Sequence, residues 1–184
     1  MTRALVEAAR RGDHEAFEVL AVAAGDRLFR IARLVLRDVQ LAEDAVQEAL
    51  VKAWRELPNL RDPERFDAWL HRLLVNACAD QGRRHRSRPA EVRILQLEPA
   101  EPDSSQASAD RDQLERGFRR LKPEQRVAIV LHFYVGLSVP EIADTLGVPV
   151  GTVKSRLHYA TLAMRATLEA DARRPAAAAN GRLA

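Results

Sequence analysis

A single cysteine, Cys78, occurs among the 184 residues, so no intramolecular disulfide is possible. No Cys/His grouping has the spacing of a structural zinc site either. Aromatic residues make up only 5% of the chain, which leaves leucine, alanine and valine to fill the cores. No window approaches the length of apolar chain that crosses a bilayer, and the opening "MTRALVEAARRGDHEAF" lacks the apolar centre of a secretion signal. Alternating Val/Ile/Thr-rich runs bounded by turn residues are missing, which argues against a sheet. A phosphate-binding Gly-rich loop is missing too, and His14, His71, His85 and His132 have no Ser, Cys or carboxylate partner at a telling spacing. Cys78 lies in an apolar helical run, as a buried and inert thiol would. These absences argue against an enzyme, a cofactor site and a membrane span, and they point to a reducing, cytoplasmic setting.

What the chain does contain is helix-forming pattern almost throughout. "RALVEAARR" makes a first short helix, stopped by Gly12, and Asp13 can cap the next one. There Phe17, Leu20, Ala21, Ala24, Leu28, Ile31, Leu34 and Val35 form one apolar stripe. Beyond Asp38, Leu41, Ala45, Ala49, Ala53 and Leu57 recur every fourth residue, and Asp44, Gln47, Glu48, Lys52 and Arg55 occupy the opposite face. Pro58 ends that helix. "DPERF" opens another, with Asp62 at the cap and Pro63 in the first turn, where no donor is lost. Its second half turns strongly basic.

Residues 89–109 change character, being rich in Pro, Ser, Ala and acidic residues, and read as a flexible linker. Roughly 20 residues span at most about 70 Å when extended. The expected organisation is all-α: a helical domain over 1–88, the linker, a second helical domain over 110–170, and a frayed tail over 171–184.

Within the second domain, "LSVPEIADTLGVPVGTVKSRLHYATL" reads as two short helices around a tight turn. Ser138 and Glu141 fit a capping box, in which each side chain satisfies a free amide at the helix start. On the last helix Val153, Leu157, Ala160 and Met164 share a core face, while Thr152, Lys154, Ser155, His158 and Tyr159 lie on or beside the exposed side. Such a helix suits the DNA major groove. A net charge of +3 is too mild to argue for a polyanion partner by itself, so the clustering of the basic residues carries the point. A helix-turn-helix says that DNA is read and little more. A response regulator or repressor would need an alternating β/α receiver or a ligand pocket in the first half, and that half shows only helices.

Four blocks, "GDHEAFEVL", "AEDAVQEALVKAWREL", "FDAWLHRLLVNACADQGRRHR" and "GTVKSRLHYA", occur in that order. Together they resemble the extracytoplasmic-function (group 4) sigma factors of the sigma-70 family. The resemblance implies a region 2 helical bundle and a region 4 helix-turn-helix on a tether. It also implies binding to core RNA polymerase through its β′ and β subunits, recognition of −10 and −35 promoter DNA, and DNA melting. By the same resemblance Asp44, Gln47 and Glu48 match positions that dock on the β′ coiled coil. Asn76, Asp80, Arg83 and Arg84 match the −10-reading and melting end, with Arg86 and Arg88 adding phosphate contacts. Asn59, Leu60 and Arg61 match a loop that captures an unstacked base. Lys154, Ser155 and His158 match −35-contacting positions, with Thr152 and Arg156 toward the backbone. Many relatives carry arginine where Lys154 stands, and lysine cannot make the planar two-pronged contact to guanine. Trp54, Phe66 and Trp69 are able to stack on bases, but core packing has first claim on so few aromatics. The linker matches the acidic connector through the polymerase. No domain of the chain masks its own DNA-reading surfaces, so a separate anti-sigma protein is expected to hold it inactive.

Overall fold

A computed structural model describes residues 3–87 and 106–180, with side chains over 3–85 and 113–170. Among the described residues there is no strand. The chain forms two compact units, the first built on four helices and the second mainly on four more.

In the first unit, α1 (Arg3–Arg10) stops short of Gly12, whose φ of 95° is open to glycine and strained for other residues. Helix α2 (His14–Leu36) begins where the Asp13 carboxylate accepts from the Ala16 amide at 3.0 Å. It ends at Arg37, a non-glycine residue in the left-handed region, whose N–H donates to the Arg33 carbonyl at 2.8 Å. Helix α3 (Val39–Glu56) is capped by Asp38, which accepts from the Leu41 amide at 2.9 Å. Its alanines Ala42, Ala45, Ala49 and Ala53 are wholly buried, so α3 comes close to both α2 and α4 (Phe66–Ser87). The stripe expected on α2 is the core side: Leu20, Ala24, Leu28, Ile31 and Val35 are buried. An ion pair of 2.6 Å between Arg27 and Asp67 joins α2 to α4.

A short 3₁₀ turn, Pro63–Arg65, precedes α4, and Asp62 accepts from the Glu64 amide at 3.0 Å. Phe66 is buried, while Trp54 is half-buried against Phe17 and His14, and Trp69 is half-buried against Phe66. Core packing therefore claims Phe66 fully and the two tryptophans in part.

In the second unit α5 (Gln106–Arg120) and α6 (Pro123–Ile129) both pack on α8 (Val150–Asn180). Leu121, Ile129 and Ala160 form a core on which Phe118, Leu157, Ala163 and Met164 close. Gly117 sits so near Met164 that a methyl group there would fall 2.6 Å from its sulfur. At the start of helix α7 (Val139–Leu146) the Ser138 amide donates to Glu141 Oε2 at 2.8 Å as the capping box requires, while the reciprocal Glu141 amide lies 3.5 Å from the Ser138 hydroxyl, which itself donates to the same Oε2 at 2.6 Å.

Two local expectations differ from what is found. Helix α5 starts at Gln106, inside the segment assigned to the linker; the rest of that segment, 89–105, lies outside the described residues. Helix α8 continues to Asn180 through the region taken for a frayed tail, where alanines supply the strongest intrinsic helix propensity. Separately, the run that begins at Pro123 is α-helical only to Ile129 and then widens into a π turn, Val130–Tyr134. That turn leaves Phe133 and Tyr134 exposed, and nothing in the apolar pattern marks it.

Candidate partner and nucleic-acid interfaces

The alanine seam commits one side of α3 to the core, so the other side must face outward. Gln47 is exposed there, and Asp44 and Glu48 are half-buried. A shallow groove of about 570 Å³ runs along this face, lined by Asp44, Gln47, Glu48, Val51, Lys52, Arg55, Glu56 and Gln81. The three sequence-predicted residues are thus brought together as one polar strip. Lys52 and Arg55 extend it at helical spacing, which was readable beforehand. Gln81 comes from α4, and only the packing of α4 on α3 places it there.

On the basic end of α4, Asn76 is exposed, Asp80 is half-buried, and Arg83 and Arg84 are exposed. Asp80 is paired with Arg83 three residues on. The pair is an exposed contact within one turn of α4, on the same basic end as Asn76 and Arg84. Arg84 donates to both oxygens of Glu48, at 3.0 and 3.1 Å. The side chain of Arg86 and the whole of Arg88 lie outside the described residues.

The loop Asn59-Leu60-Arg61 follows a 3₁₀ turn, Leu57–Asn59, closed by the Leu60 amide on the Leu57 carbonyl at 3.0 Å. Asn59 and Arg61 are exposed, but Leu60 is buried. Leu60 and Leu57 thus add apolar surface to the core of the unit, and the two polar side chains of the loop face solvent.

Two buried titratable groups lie on α4. His71 is 3% exposed, and neither ring nitrogen has a hydrogen-bond partner. Burial, aided by the Arg27 cation and opposed by Asp67, pushes its pKa down to about 4. Burial pushes the Cys78 thiol up to about 12, which suits the inert role expected of it.

In the second unit α8 presents Lys154, Ser155, His158 and Tyr159 to solvent, with Thr152 and Arg156 half-buried. Val153 and Ala160 are wholly buried on the opposite side. Pro149 has no side-chain acceptor, and its carbonyl takes over as the cap, accepting from Thr152 at 2.9 Å. The Ser155 hydroxyl donates back to the Gly151 carbonyl at 3.0 Å, which leaves its oxygen lone pairs as acceptors. His158 meets Tyr159 edge to face at 5.5 Å. Spaced one turn apart, Lys154 with His158 and Ser155 with Tyr159 form two parallel polar rows. Among the described residues no helix is long and apolar enough to cross a membrane.

Comparison with known proteins adds an independent line. Residues 20–88 match Sigma-70 region 2, and residues 111–164 match Sigma-70, region 4. The chain is 37% identical over 147 residues to the ECF RNA polymerase sigma factor SigM of Mycobacterium tuberculosis, covering 79% of this chain and 73% of that protein. It is 32% identical over 178 residues to the RNA polymerase sigma-H factor of Pseudomonas aeruginosa, covering 90% and 92%. Among solved structures it resembles CnrH in complex with the cytosolic domain of CnrY, at 31% identity and a TM-score of 0.68, covering 92% of this chain and 97% of that one. It also resembles the sigma factor RpoE in complex with the anti-sigma factor NepR from Bartonella quintana, at 26% identity and a TM-score of 0.65, covering 84% and 98%.

Proposed function

We propose a division of labour between the two units of this chain, which belongs to the extracytoplasmic-function sigma factors of the sigma-70 family. It is an alternative sigma factor that directs promoter recognition by RNA polymerase, and not an enzyme. The first unit docks on the polymerase β′ subunit through Asp44, Gln47 and Glu48, and it reads and melts −10 DNA with Asn59, Arg61, Asn76, Asp80, Arg83 and Arg84. The second unit reads −35 DNA with Lys154, Ser155 and His158, while Thr152 and Arg156 approach the backbone and the β subunit supports the unit. Work on promoter DNA places the chain in the cytoplasm. The observation that carries this is the polar strip on α3 abutting the basic end of α4 in one unit, with a basic helix-turn-helix in the other.

Melting requires unstacked bases to be held, at a cost of a few kcal/mol per extruded base that protein contacts must offset. Exposed arginines at the end of α4 supply phosphate contacts, and these carry a strong salt dependence. The same exposed surfaces call for a masking partner. An anti-sigma protein is proposed as that partner, in line with the complex of RpoE with the anti-sigma factor NepR.

Run-off transcription with purified core polymerase tests the function directly. Adding the chain should yield promoter-specific transcripts on cognate genomic DNA, and their complete absence would sink the proposal. Charge reversal at Glu48 should lower polymerase binding and leave −35 duplex binding by the full chain unchanged. Equal loss of both would mean misfolding instead of a docking role. Recovery of no masking protein from the native cell, together with constitutive activity, would remove the anti-sigma partner.

A further inference from the structure

Gln81 is the one residue lining the α3 groove that comes from α4. It is 9% exposed, and its amide Nε2 donates to Glu48 Oε2 at 3.2 Å. Arg84, three residues on, donates to the same carboxylate at 3.0 and 3.1 Å. A glutamate on a helix surface ordinarily samples several rotamers, and here two donors from a second helix restrict it.

The two donors differ in kind. The Arg84 side chain is 57% exposed and charged, and it belongs to the basic end assigned above to DNA. Phosphate oxygens compete well for such a guanidinium. Gln81 is neutral and 9% exposed, so it offers a phosphate no charge and little surface. When Arg84 turns to a phosphate, Gln81 remains on Glu48.

We propose that Gln81 is a positioning residue for polymerase docking, which keeps the Glu48 carboxylate presented in the groove while Arg84 engages DNA. This rests on Glu48 being a docking residue. The two holders of Glu48 overlap, so losing either alone weakens docking modestly. Losing both frees the carboxylate and weakens docking by more than the product of the single losses.

The test measures the affinity of the full-length chain for core polymerase by fluorescence anisotropy, with a thermal melt for each variant. Gln81→Leu is the primary substitution, and Gln81→Met keeps the chain length should the leucine disturb folding. Either should weaken binding about threefold, the scale of one hydrogen bond. Combined with Arg84→Ala the loss should exceed the product of the single losses. In a Glu48→Ala background Gln81→Leu should have no further effect, which a merely structural role would not produce. With a single-stranded oligonucleotide at saturation the Gln81→Leu penalty should rise toward that of the double variant. Independent, multiplicative losses, or an equal Gln81→Leu penalty in the Glu48→Ala background, overturn the proposal. If Glu48→Ala itself leaves polymerase affinity unchanged, Glu48 is no docking residue, and the assignment beneath the proposal fails first.

Discussion

Lowering the pH should loosen the first unit through one buried side chain, His71. Its imidazole is 3% exposed, with no hydrogen-bond partner at either nitrogen, and it lies near the Arg27–Asp67 ion pair. Burial first, and the Arg27 cation second, bring its pKa from 6.5 to about 4, with Asp67 acting the other way. In the unfolded chain the same ring takes a proton near 6.5. Between these two values the unfolded state binds more protons than the folded state, so stability falls as pH drops from 6.5 to about 4 and levels off below. At about 1.4 kcal/mol per pH unit, the window carries about 3 kcal/mol, a sizeable part of a small domain's stability. His71→Leu keeps a similar volume and removes the titrating ring. It should abolish this part of the acid sensitivity, and at pH 7 it should stabilise by about 1–3 kcal/mol by relieving unpartnered buried polar atoms. Both tryptophans, Trp54 and Trp69, lie in the first unit, so urea unfolding followed by tryptophan fluorescence reports that unit by itself. Comparing wild type with His71→Leu at pH 7, 5.5 and 4.5 cancels the acid effects they share. Parallel losses of stability in the two proteins would refute the reasoning and mean that the folded imidazole protonates near its ordinary pH.

Ala49→Leu places three extra carbons in the closed α3 seam and should destabilise by about 1–3 kcal/mol, read by the same fluorescence unfolding. Asp38→Ala removes the acceptor at the start of α3 and should cost about 1 kcal/mol, with Asp38→Asn losing much less. Cys78 should resist a thiol reagent at pH 8 in the folded chain and react fully in urea; rapid native labelling would contradict its burial. Lys154→Ala should weaken −35 duplex binding in a polymerase complex. A uniform loss across sequences with a shallower salt slope marks a phosphate contact, and relaxed preference at one base pair marks base readout.

Much of this molecule was legible in the chain itself because the signals are local. Asp13 and Asp62 accept from the amides that their positions predict, and at Ser138–Glu141 the carboxylate takes the Ser138 amide as the spacing requires. The α3 stripe at every fourth residue is the buried seam. The site residues were legible as faces, since helical spacing alone places Asp44, Gln47 and Glu48 together and Lys154 beside His158. Less legible were departures from regular geometry. The π turn that exposes Phe133 and Tyr134 is closed by the Val135 amide on the Val130 carbonyl at 3.0 Å, and the apolar run "RVAIVLHFYV" carries no mark of it. The burial of Leu60 between exposed Asn59 and Arg61 likewise has no mark in the local pattern.

Sequence alone determined the all-helical class, the starts of α2 and α7, the inner and outer faces of α3 and α8, and the family. Each follows from backbone hydrogen bonding and a period of 3.6 residues, which act over a few neighbours. Tertiary structure alone decided which distant polar groups meet. Glu48 and Gln81 are 33 positions apart, Glu48 and Arg84 are 36 apart, and Arg27 and Asp67 are 40 apart. Those pairs depend on the rotation and register of one helix against another, which small buried alanines permit and no local spacing encodes. The same packing left His71 without a partner, so its lowered pKa comes from the fold and is not a property of the residue.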